Sequence, residues 1–223
     1  MGAAPFRQKR LPIEGACSPS AAAETQESEM TLVDLRSQVA FASGFIPGSF
    51  HLPDINCLEL LRANGLLKGR RIYGVADEPE QIARCGEILA SGMELEFGNW
   101  SSPKIMEWRT RRGTLGSIEL LEADRLAVRV SSWKTVLIDT RNLAAFALAR
   151  IPESLCMPLD DNLTSALTGL PAETALCIVC ETGSRASFAA SVIWNLGFRN
   201  VSFLRGGFAG YREHRLPLAQ SSR

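Results

Sequence analysis

The chain has 223 residues, 46% of them hydrophobic, with 24 basic and 24 acidic side chains and a formal net charge of zero. That length allows one or two domains with proper cores, and the balanced charge gives no reason to expect nucleic acid or an anionic membrane as the main partner. No apolar run approaches the roughly 20 residues that a membrane span requires.

Residues 1–29 read as a mobile tail. Arg7, Lys9 and Arg10 precede Ala- and Ser-rich sequence, then Glu24, Glu27 and Glu29, with little aromatic content. No apolar stretch there has the length of a secretory signal. Short apolar strands are then expected at Thr31-Val33 and Arg71-Val75, followed by the acidic run Ala76-Asp77-Glu78-Pro79-Glu80 and a helix that holds Cys85. The basic, glycine-bearing stretch from Arg109 to Gly116 reads as a connection. Ser117 to Val130 is expected as a helix, with Leu120, Leu121 and Leu126 as apolar contacts. Further strands are expected at Val136-Ile138, Ala175-Val179 and Val201-Leu204. Between the last two lies a helix with Phe188, Ala189, Val192, Ile193 and Leu196 on one face, stopped at Gly197.

An internal repeat sets the domain count. A shift of 105 places Leu32-Val33-Asp34-Leu35-Arg36 on Leu137-Ile138-Asp139-Thr140-Arg141. The same ungapped shift pairs Phe41 with Phe146, Ile46-Pro47 with Ile151-Pro152, and Pro53 with Pro158. Ten of the 22 positions from Leu32 to Pro53 are identical, and Gly92 still falls on Gly197, so register is kept far beyond one motif. Each copy reads as an α/β unit with helices around a mostly parallel sheet. The expected division is a tail over 1–29, a first domain over 30–112 and a second over 113–223.

The most informative stretch is Cys180-Glu181-Thr182-Gly183-Ser184-Arg185, at the turn from strand to helix. The start of a helix leaves backbone N–H groups unpaired. Together with the helix dipole and Arg185, these are expected to lower the Cys180 thiol pKa and make it a nucleophile. Copy one has Val75 at the place of Cys180, three carboxylates in the loop, Pro79 where a backbone donor would stand, and Ser101-Ser102 opposite Gly206-Gly207. Valine cannot be a nucleophile, and the acids would repel an anion. Cys177-Ile178-Val179-Cys180 formally matches a metal or redox spacing. On a strand, however, residues three apart point to opposite faces, so no metal site is expected. Six cysteines without regular spacing, one of them reactive, suit a reducing compartment, and a cytoplasmic location is expected.

Strand, C-x-x-G-x-R, helix, then Leu204-Arg205-Gly206-Gly207-Phe208 and Tyr211 resembles the active half of a rhodanese (sulfurtransferase) domain. Asp139, Arg141, Phe146, Ile151-Pro152 and Pro158 extend the resemblance over roughly Val136 to Pro217. There are two departures: Ala149-Arg150 stands where the family commonly has Gly-His, and Tyr211 where it commonly has Trp. The resemblance implies a tandem α/β architecture of two rhodanese-like domains, the first inactive and the second active. It implies sulfur transfer from thiosulfate or a persulfide to a thiol or cyanide through a persulfide on Cys180, without a cofactor.

In that reading Cys180 and Arg185 are catalytic, and Glu181, Thr182, Gly183 and Ser184 bind substrate, with backbone donors expected from Glu181 to Arg185. Arg185 is expected both to close the loop by hydrogen bonds and to contact an anionic donor. Asp139 and Arg141 are expected to be structural, because Asp34 and Arg36 recur in the copy without a nucleophile. One alternative is a sulfur-relay or regulatory module that passes sulfur to a protein partner. The other, a cysteine phosphatase or arsenate reductase, is disfavoured because C-x5-R would need its arginine at position 186, where this chain has Ala186.

Overall fold

A computed structural model of the protein describes residues 30–54, 56–66, 71–78, 80–81, 94–97, 109, 113–132, 135–159, 167 and 169–220. The tail, Cys17, Pro79, Cys85, Gly92, Ser101-Ser102 and residues 110–112 of the basic connection lie outside the described residues.

Strand β1 (Met30–Asp34), helix α1 (Gln38–Ser43), β2 (Phe50–His51), α2 (Asn56–Ala63), β3 (Arg71–Val75) and β4 (Glu94–Phe97) come first. They are followed by β5 (Glu119–Leu121), α3 (Ala123–Ser131), β6 (Val136–Asp139), α4 (Leu143–Leu148) and β7 (Leu155–Cys156). Last come β8 (Leu176–Val179), α5 (Ser184–Asn195), β9 (Val201–Leu204) and α6 (Gly207–Glu213). The fold class is α/β with parallel sheets: one of order β2-β1-β3-β4 and one of order β5-β9-β8-β6-β7. The first order runs through the second as β7-β6-β8-β9, with β5 added at the edge.

Local chemistry recurs at the shift of 105. Ser37 caps α1 by accepting from the Ala40 N–H at 3.2 Å, and Asn142 caps α4 by accepting from Ala145 at 2.9 Å. Gly48 and Glu153 occupy the same left-handed turn, with φ of 93° and 63°. Each copy also buries an arginine against its aspartate. Arg36 and Arg141 grip Asp34 and Asp139, and each sends Nη2 to a carbonyl 2.7 Å away, on Gly44 and Ala149 respectively. The grip fastens the strand end to the end of the following helix, and is the structural role expected.

The helix expected over Ser117 to Val130 is a strand followed by a helix. Glu119–Leu121 pairs with β9, and α3 begins only at Ala123. Leu120 and Leu121 pair with Phe203 and Leu204, and that sheet edge overrides the helical pattern.

A single buried cluster takes Phe41, Phe45, Phe50 and Leu61 from the first half of the chain together with Ile178, Phe188, Val192 and Phe203 from the second. A second cluster, with Leu121, Leu126, Leu137, Cys177 and Phe208, covers the other face of the longer sheet. Among the described residues no helix is long and apolar enough to cross a membrane.

Candidate active site around Cys180

Strand β8 runs between β6 and β9, buried on both faces, and delivers Cys180 to the carboxyl end of the parallel sheet. Crevices at the carboxyl ends of strands are where open parallel sheets place ligands. The chain then turns through Gly183, whose φ of 93° a side chain would strain, and enters α5. The turn wraps around the sulfur. Gly183 donates its N–H to Cys180 Sγ at 3.1 Å, and Ala186 does so at 3.3 Å. Ala186 lies one residue past the donors expected from the sequence.

The thiol is 1% exposed. Burial pushes its pKa up; the N–H groups of Ala186, Gly183 and Thr182 and the charge of Arg185 pull it down, and the net direction is upward. The sequence leads to the opposite expectation because it displays the donors but not the depth of the sulfur. The loop therefore offsets part of a desolvation cost instead of leaving an acidic thiol at rest. Cys177 points away from this site, into the cluster on the opposite face, as the strand period requires.

Helix α6 closes the loop from behind. Phe208 N–H donates to the Cys180 carbonyl at 2.8 Å and Ala209 N–H to the Glu181 carbonyl at 3.0 Å. That approach requires glycine: a Cβ on Gly207 would lie 2.5 Å from the Cys180 oxygen and 2.6 Å from Gly183 N, on a backbone with φ of 61°. Gly206-Gly207 is thus part of the site, and its cue in the sequence is the pair of glycines directly after β9. Arg141 adds a further tie, with its guanidinium 3.6 Å from the Phe208 ring centroid and Nη1 3.4 Å from Glu181 Oε2.

The expected site residues lie at three depths. Cys180 and Gly183 are buried at the centre, Glu181 and Ser184 are partly exposed, and Thr182 and Arg185 are exposed. The Arg185 side chain makes no hydrogen bond to another described residue. The loop is closed by the amides of α6, not by its guanidinium.

At the corresponding place in the first half, the turn after β3 holds Gln81. Its side-chain oxygen accepts from the N–H groups of Asp77 and Glu78 at 2.9 and 3.2 Å. Gln81 stands at the position of Ala186, six residues past Val75. The amide oxygen occupies donors that a ligand would otherwise meet. Val75 itself is buried with Leu32 and Ile46.

Residues 122–214 match the Rhodanese-like domain family. A sulfurtransferase from Allochromatium vinosum is 27% identical over 99 residues, which cover 44% of this chain and 92% of that protein. An adenylyltransferase and sulfurtransferase from Meyerozyma guilliermondii is 28% identical over 107 residues, 43% of this chain, and the chain spans only 25% of that relative's length. Among solved structures, a thiosulfate sulfurtransferase from Pseudomonas aeruginosa aligns with 90% of this chain and 39% of its own, at 21% identity and a TM-score of 0.43. Residues 122–214, the stretch that carries Cys180, are therefore similar to a rhodanese-like domain, and two sulfurtransferases are similar to under half of the chain.

Proposed function

We propose that the chain is a tandem two-domain sulfurtransferase, with an inactive domain over 30–112 and a catalytic domain over 113–223. The observation that carries the reading is the pair of backbone N–H groups, from Gly183 and Ala186, aimed at Cys180 Sγ. In the first step the Cys180 thiolate attacks the outer sulfur of thiosulfate or of a low-molecular-weight persulfide. An S–S bond forms, the donor's own S–S bond breaks, and sulfite or a thiolate leaves with the electron pair. In the second step a thiol or cyanide attacks the outer sulfur of the Cys180 persulfide, and Cys180 is released as the thiolate. This is covalent catalysis in two half-reactions. The loop donors, from Thr182, Gly183 and Ala186, stabilise whichever sulfur carries the charge.

No cofactor has a role in this chemistry. A cytoplasmic, reducing setting agrees with the free thiols of Cys57, Cys156, Cys177 and Cys180. The inactivity of the first domain is supported by Val75 in place of the nucleophile and by the self-occupied Gln81 turn.

A relay role, with sulfur passed to or from a protein partner, draws support from Glu181. Its half-exposed carboxylate at the loop, paired with Arg141, lowers the attraction for dianions such as thiosulfate. The deciding experiment is intact mass after incubation with thiosulfate or with a small-thiol persulfide. A gain of one sulfur, removed by cyanide and absent in Cys180→Ser, is the expected result. A Cys180→Ser variant that still loads sulfur would overturn the assignment.

A further inference from the structure

One face of α5 is polar and buried, and it docks on the first half of the chain. Ser187, Ser191 and Asn195, spaced at i, i+4 and i+8, meet the segment from Ser49 to His51. Asn195 Nδ2 donates to the Ser49 carbonyl at 2.9 Å, and His51 N–H donates to Ser191 Oγ at 3.1 Å. His51 itself is fully buried and stacked on Phe41, with ring centroids 4.5 Å apart. Its two nitrogens face Ser187 Oγ at 2.8 Å and the Arg36 carbonyl at 3.0 Å.

Proton accounting fixes what this arrangement does. A carbonyl can only accept, so Nε2 carries a proton. Burial lowers the His51 pKa against the opposing effects of the Arg36 carbonyl, Asp34 and Asp54 and with the help of Arg36, so the ring is neutral and Nδ1 is a bare acceptor. The Ser187 hydroxyl also lies 2.7 Å from the Ser184 carbonyl, so its single proton stands between two acceptors. The hydroxyl is pinned at that point. Meanwhile Ser187 N–H donates to the Gly183 carbonyl at 3.1 Å. Peptide groups are planar with N–H opposite C=O. Holding the carbonyls of Gly183 and Ser184 therefore also fixes the N–H groups of Ser184 and Arg185, which lie on the loop around Cys180.

We propose that His51, from the half of the chain without a nucleophile, is a positioning residue of the Cys180 site, acting through Ser187 on the peptide groups of the loop. This goes beyond the inactive first domain proposed above and rests on that reading of Cys180. The readout is thiol chemistry and not sulfur transfer, so the two can fail separately.

The test compares His51→Phe, Ser187→Ala and the double variant. It follows the alkylation of Cys180 by iodoacetamide against pH, resolved by peptide mass, with thermal unfolding measured alongside. Each single variant is expected to move the Cys180 profile to higher pH and to slow alkylation at fixed pH by about two- to tenfold, the loss of one ordinary hydrogen bond. The double variant should be no slower than Ser187→Ala. A profile unmoved in a folded Ser187→Ala protein would overturn the proposal, as would independent effects that multiply in the double variant. Should His51→Phe fail to fold, His51→Gln takes its place, since it keeps a donor for the Arg36 carbonyl and loses the ring nitrogen that faces Ser187. Normal alkylation with no sulfur loading in the parent protein would instead count against sulfur transfer and leave the positioning role standing.

Discussion

Arg185 stands exposed on the first turn of α5, its side chain makes no hydrogen bond to another described residue, and it still bears electrostatically on Cys180. Its contribution should therefore appear with an anionic donor and not in the stability of the fold. Arg185→Ala is expected to slow thiosulfate use by about one to two decades, the cost of a charge-assisted hydrogen bond made in the transition state. Its melting temperature should stay within a degree or two of the parent. Lysine should recover only part of the loss, because a point charge does not reproduce the planar fork. Steady-state kinetics with thiosulfate and with a neutral thiol persulfide would check this, and equal losses with both donors would count against a donor-binding role. Among single residues, the sequence displays Cys180, Gly183 and Arg185 because strand, turn and helix sit side by side. It cannot display Ala186, whose only contribution is a backbone N–H, nor the depth that turns the Cys180 pKa upward.

The contrast between the turn after β3 and the turn after β8 is one of what fills them. Around Cys180 the donors converge on a sulfur, whereas after β3 the donors of Asp77 and Glu78 converge on an amide oxygen from their own turn. Val75→Cys is therefore expected to give a thiol with ordinary or raised pKa and no sulfur loading. Adding Gln81→Ala should free the two donors yet leave the acids of the loop, so loading should remain absent. Peptide-resolved mass after thiosulfate treatment checks both variants, and persulfide at position 75 in either would mean that the turn alone suffices. The sequence shows the missing cysteine and the acids, but not the plug, because a glutamine on a helix start looks like any solvated side chain. Strands β2 and β7 escape sequence reading for another reason: two residues carry no periodicity. Residues 119–121 mislead more actively, since Leu120 and Leu121 read as apolar contacts of an opening helix while the edge of β9 selects a strand.

At the scale of the whole molecule, α5 serves both halves of the chain at once. Its apolar side chains Phe188, Val192 and Ile193 join Phe41, Phe45 and Leu61 in one cluster, and its polar stripe meets His51 and Ser49. Nothing in the hydrophobic periodicity of α5 announces the second surface, since Ser187, Ser191 and Asn195 read as a solvent face. Burying a neutral histidine there has a consequence on acidification. Below the ordinary value of 6.5 the unfolded chain takes up a proton at this position that the folded chain refuses, so stability falls as pH falls. The expected slope from this one group is about 1.4 kcal/mol per pH unit until the folded-state value is reached. Urea midpoints of the parent and of His51→Gln between pH 7 and 5 (about one and a half units below the ordinary value) should converge as the pH drops, and parallel curves would contradict the neutral ring.

The distance along the chain between these partners matters to a ribosome as well. His51 and Ser191 are separated by 140 residues. At about 5–20 residues per second, the strand that carries His51 waits roughly seven to thirty seconds for the helix that covers it. Through that interval Phe41, Phe45 and a polar histidine edge lack their final cover, a face that attracts chaperones and misassembly alike. The half of the chain without a nucleophile is thus made first and finished last.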